Sequence, residues 1–178
     1  ENAAGDLVLD STVTYNFSGM INMLGRASSG GPFSITSNGA NLSLTSITID
    51  ALGVEYDVLD SLSVNELVLG AGILDLEGNV YCTRLNANLV GDAVRSIDFS
   101  DTSNVIIASN GSSPVLDFQS NLGNLALNGT GGSSKFEFTS ANPLLLELGG
   151  NSLVIPALDF TASADIDIRT AASMVSTK

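Results

Sequence analysis

The sequence predicts an all-β fold: a repetitive β-solenoid, or a stacked β-arch or β-hairpin ladder, with a repeat of about 20 residues and about eight rungs. Three observations predict it. A triplet of one polar residue between two large apolar ones recurs along the chain. Asn and Gly pairs separate the recurrences. No stretch of a dozen residues sustains the 3.6-residue period of a helix.

The triplet occurs at Tyr15-Asn16-Phe17, Phe33-Ser34-Ile35, Val54-Glu55-Tyr56, Leu74-Asp75-Leu76, Ile97-Asp98-Phe99, Leu116-Asp117-Phe118, Phe136-Glu137-Phe138 and Leu158-Asp159-Phe160. Its centres lie about 20 residues apart. Between them runs a second set of alternating segments, among them Leu42-Ser43-Leu44, Leu67-Val68-Leu69, Leu125-Ala126-Leu127 and Ile166-Asp167-Ile168. Alternation with period 2 marks a strand with one buried face, so each unit is two short strands. In the triplets the apolar residues face the core and the polar centre faces out.

The joints carry turn chemistry. Asn38-Gly39, Gly78-Asn79, Asn110-Gly111, Asn128-Gly129 and Gly149-Gly150-Asn151 supply residues that tolerate positive φ. A β-sandwich has no reason to repeat one phrase at one period, whereas stacked coils, each unable to close its own core, repeat equivalent positions once per coil. The Asn-Gly turns also suit antiparallel hairpins stacked like rungs. Residues 1–170 read as one repetitive β domain and 171–178 as a short tail.

Charged residues make up only 14 % of the 178, and the formal charge is −13 with six Lys plus Arg and no His or Trp. Without a basic patch there is no counterion release to drive nucleic-acid binding. No apolar run approaches the roughly 20 residues of a membrane-spanning helix. Alternating segments of about ten residues also occur in transmembrane barrels, but the aromatic girdles are missing. A chain that begins at Glu1 without Met reads as a processed or excised product, and a weakly charged, Ser/Thr/Asn-rich surface fits export.

Stacked about 4.8 Å apart, the triplet acids would form one outward column of carboxylates. Its solvated reading is a soluble outer face. Its functional reading is Ca²⁺ binding, for which Asp75, Asp98, Asp117, Glu137 and Asp159 are the candidate ligands; no other cofactor is expected. Cys82 shares a strand face with Val80, which fits a small buried hydrophobe; the sharper alternative is a disulfide between subunits. Of four Asn-x-Ser/Thr sequons, those at Asn110 and Asn128 fall in predicted turns where a glycan fits, while those at Asn16 and Asn41 do not.

The usual catalytic equipment is missing. With no His and one Cys there is no triad, zinc site or thiol chemistry, and residues 129–132 lack the Lys and helix of a phosphate loop. A non-enzymatic protein is expected.

Two-strand coils with Asn/Gly turns and phrases such as "LDLEGN" and "LELGGN" resemble β-solenoid surface and filament proteins, namely autotransporter-type passengers, subunits of extracellular sheaths, and phage fibre shafts. The resemblance spans about residues 7 to 168 and transfers no functional residue. It implies an extracellular or cell-surface structural protein whose partner is itself, assembling through strand edges into a layer, sheath or filament. The alternatives are a virion fibre, spike or decoration protein and a surface adhesin. The expected edges are Val13, Tyr15 and Phe17 at one end and Ile166 and Ile168 at the other.

Overall fold

The structure is a computed structural model describing residues 2–3, 5–26, 30–88, 93–109, 114–118, 124–129, 132–148, 153–162 and 165–169. These form no α-helix. The strands are β1 (Asn2–Ala3), β2 (Leu7–Val8), β3 (Met20–Arg26), β4 (Phe33–Thr36), β5 (Asn41–Val58), β6 (Leu62–Leu76), β7 (Val80–Cys82), β8 (Arg84–Asn86), β9 (Arg95–Phe99), β10 (Asn104–Ile107), β11 (Leu116–Asp117), β12 (Leu125–Asn128), β13 (Lys135–Phe138), β14 (Leu144–Glu147), β15 (Ala157–Phe160) and β16 (Ile166–Arg169). They belong to one curled, parallel sheet.

Three ladders run through this sheet, and the long strands β5 and β6 pass through all of them. In the first, Asn41-Leu42 of β5 is followed by β6, β7, β10, β13 and β15. The second runs β1, β3, β5, β6, β8, β11, β14, β16. The third runs β2, β4, β5, β6, β9, β12. Every one of these pairings is parallel, so the hairpin version of the expected fold does not occur among the described residues. Asn38-Gly39 turns a corner instead: both residues take positive φ, and the Asp60 carboxylate accepts the Ser37 and Asn38 backbone N–H groups at 2.7 Å each.

The ladders enclose one core. Phe136 of the first ladder meets Phe99 of the third at 5.5 Å between ring centres, and Phe118, which follows the second, at 6.1 Å, both edge-on. Register carries this core along each ladder, for example through Ile21, Ile47, Leu67, Leu85, Leu116, Leu146 and Ile168 in the second. Leu116 and Phe118 are buried, as their alternation predicts.

A uniform 20-residue period does not hold. Leu67 pairs with Leu85, 18 residues on, but Leu85 pairs with Leu116, 31 residues on. The corners differ in length. Between the second and third ladders β5 uses residues 51–54, whereas β6 turns on Gly72 alone. Gly72 has φ +95°, and a Cβ there would collide with the Ala51 and Val54 carbonyl oxygens, so only glycine makes that short corner.

The triplets consequently do not stack into one column. Ser34, Asp75 and Asp98 lie on the third ladder, Asp117 on the second, and Glu137 and Asp159 on the first; Glu55 registers with Ile73, not Asp75.

Candidate functional site

Ten of the acids gather in four groups among the described residues, and three of these groups hold a cation. Arg84 bridges Glu66 (3.2 Å) and Asp117 (2.6 Å) across the second ladder. Lys135 bridges Glu137 (3.1 Å) and Asp159 (2.6 Å) on the first, which raises the lysine pKa. Arg169 reaches Asp167 (3.0 Å) and Glu147 (3.7 Å) at the end of the second. Three of the five expected Ca²⁺ ligands, Asp117, Glu137 and Asp159, are thus neutralised by protein cations. Asp117 also departs from the expected solvated position: its residue is only 4 % exposed.

The fourth group is Glu55 and Asp57 on β5, Asp75 on β6 and Asp98 on β9. Asp57, Asp75 and Asp98 are in register on the outer face of the third ladder. One carboxylate oxygen from each of Glu55, Asp57 and Asp75 lies within 4.8 Å of the other two. Asp98 accepts a hydrogen bond from Asn128 Nδ2 at 2.8 Å, and Asp57 Oδ1 is buried with no hydrogen-bond partner. No Lys or Arg pairs with this group among the described residues. Burial first, then the neighbouring Asp57, pushes the Glu55 pKa up; burial first, then Glu77, Asp57 and Asp98, does the same to Asp75.

Two unit charges at that spacing repel by about 1 kcal/mol in water and about 3 at an effective dielectric near 20. An all-oxygen set is the donor chemistry of a hard divalent cation, with water completing the shell. Asp75 and Asp98 were legible as candidates. Asp57 was not, although its position two residues after Glu55 puts it on the same strand face.

This geometry sets a pH dependence. Glu55 and Asp75 have folded-state pKa values above their unfolded ones, so their stabilising contribution is fully present below the unfolded pKa, near 4, and is lost as pH rises through the raised values. Through this group the melting temperature is expected to fall as the pH rises above about 4. Asp75→Asn should flatten the fall, and millimolar Ca²⁺ at pH 7 should raise the wild-type melting temperature more than that of Asp75→Asn. Equal pH profiles for the two proteins would show that the cluster exerts no such repulsion.

The expected edges divide. Ile166 and Ile168 lie on β16, which pairs only with β14 among the described residues. Val13, Tyr15 and Phe17 form no strand. Asp10 draws this segment into a turn: its Oδ1 accepts the Thr12 N–H and hydroxyl, its carbonyl accepts the Val13 N–H, and its own N–H is donated to the Tyr15 hydroxyl. The bent segment leaves a recess of about 350 Å³ lined by Ser11, Tyr15, Asn16, Asn41 and Leu44.

Cys82 lies in the buried column between Val64 and Ile107 of the first ladder, and burial pushes its thiol up to about 12. This is the position of a small buried hydrophobe, and the alternative, a disulfide between subunits, would require opening the core. Asn128 is exposed on β12, with its amide donating to Asp98; Asn110 and residues 171–178 lie outside the described residues. No described helix is long and apolar enough to cross a membrane. No family model, no curated protein and no solved structure matches the chain.

Proposed function

We propose that the chain is a β-solenoid, its three ladders forming three faces of a stack of unequal coils, and that it serves as an extracellular structural protein. On this reading it self-assembles through strand edges into a cell-surface layer, sheath or filament. One observation carries the proposal. In the second ladder, Ile47, Leu67, Leu85, Leu116 and Leu146 are fully buried, while Ile168, the next residue of the same column, is 43 % exposed. Nothing distinguishes it chemically from the others; it lacks a described strand stacked beyond it. Ile166, registered on the buried Leu144, is exposed at the same end. An unpaired parallel edge with apolar residues on its core side is a template for another strand.

Sedimentation velocity and negative-stain electron microscopy of the purified protein test this. Concentration-dependent association into elongated particles is expected, with Ile168→Lys reducing it and leaving the melting temperature of the monomer nearly unchanged. A chain that stays monomeric at all concentrations would sink the reading.

A further inference from the structure

The composition of β16 specifies what the edge left unpaired among the described residues can pair with. Ile166 and Ile168 lie on the core side, registered on Leu144 and Leu146, and Asp167 and Arg169 on the outer side, registered on Leu145 and Glu147. Both charged side chains are 59 % exposed, and they bridge each other along the strand at 3.0 Å.

A strand added at this edge must keep apolar residues on the core side and polar ones outside. In antiparallel pairing, directly opposed residues share a face. Within residues 166–169, a second copy of β16 meets that condition in two centred registers. Centring on Asp167 opposes Asp167 to its own copy, and like charges directly opposite are destabilising. Centring on Ile168 opposes Ile168 to Ile168 and places Asp167 of each copy against Arg169 of the other. Parallel stacking on the opposite end of the same ladder has no such match, because β1 consists of Asn2 and Ala3, neither charged.

We propose that the β16 edge pairs antiparallel with β16 of a second copy about a twofold axis at Ile168. The result is an isologous dimer with the C-terminal ends of the two stacks abutting. This rests on the edge-assembly reading above and names its partner and symmetry. Each reciprocal Asp167–Arg169 contact is formed twice, replacing the bridge that the two residues make within one strand. Such a dimer turns its two N-terminal ends outward, where β1 and β2 each have one edge unpaired among the described residues.

Charge exchange on the full chain tests the symmetry. Asp167→Arg and Arg169→Asp each oppose like charges twice and should weaken the dimer roughly tenfold or more in Kd by sedimentation equilibrium. An equimolar mixture of the two variants should restore it as a heterodimer, since one strand is then doubly positive and the other doubly negative. The double variant Asp167→Arg/Arg169→Asp should restore a homodimer. Ile168→Cys, sitting on the axis with Cα atoms about 4.5–5.5 Å apart, should give a disulfide-linked dimer on oxidation, whereas Asp167→Cys should not. All these positions are exposed, and unchanged melting temperatures would verify folding. If the wild type associates but neither mixing nor the double variant rescues it, the twofold contact is wrong and edge assembly stands. If the wild type never associates, both fall.

Discussion

Phe136→Ala is expected to lower the free energy of unfolding by about 3–5 kcal/mol, the usual range for truncating a buried Phe. The side chain is fully buried, and it is where the ladders meet: β13 supplies it, and its ring contacts Phe99 from β9 and Phe118 beside β11. Removing it loses the transfer free energy of the ring and leaves a cavity that two aromatic neighbours, each held by a different ladder, cannot both move to fill. With total stability of a domain this size of order 5–15 kcal/mol, the variant should unfold at much lower urea, measured by far-ultraviolet circular dichroism. Tyr81→Ala, on the outer face of the same ladder and 43 % exposed, should cost under about 1 kcal/mol. Similar costs for the two would mean that the curled sheet does not close on a common core.

The contrast shows what alternation can and cannot reveal. Period 2 identified the strands and separated Leu116 and Phe118 from Asp117 correctly, because side-chain direction is a local property of extended backbone. Which ladder a strand joins is not local. It depends on corner length, and corner length varies: β6 turns on Gly72 alone where β5 uses residues 51–54. Seven of the eight similar triplets therefore landed on different ladders, the one at residues 15–17 on none, and the six acids of the inferred column fell into three separate groups. Burial of outward residues was also beyond the pattern. Val115 precedes Leu116 and alternates outward, yet it is 1 % exposed. At the N-terminal end, Val13-Thr14-Tyr15-Asn16-Phe17 has strand alternation, but the hydrogen bonds of Asp10 fold it into a turn, a capping preference that competes with strand formation. Cys82 followed the simpler reading because its neighbour Val80 already marked the buried face.

The acid at position 117 carries the second large effect. From alternation alone, Asp117→Asn should be nearly silent; the structure places the carboxylate against Arg84 at 2.6 Å with the side chain 5 % exposed, and Arg84 itself only 29 % exposed. Bringing this carboxylate out of water carries a desolvation penalty that the guanidinium offsets. Arg84→Met keeps most of the aliphatic stem and removes the charge, so Asp117 and Glu66 lose the cation they share. A loss of about 2–3 kcal/mol is expected, below the 3–5 typical of fully buried pairs because water reaches part of Arg84. Asp117→Asn should cost less, about 1–2 kcal/mol, since no charge is left buried without its cation and Arg84 keeps Glu66. The double variant Arg84→Met/Asp117→Leu should recover most of the loss, because replacing both partners by apolar groups removes the desolvation term altogether. A double-mutant cycle by urea denaturation measures this coupling. Additive losses in the cycle would show that the two side chains do not interact, and that the group on the second ladder is held by something other than its arginine.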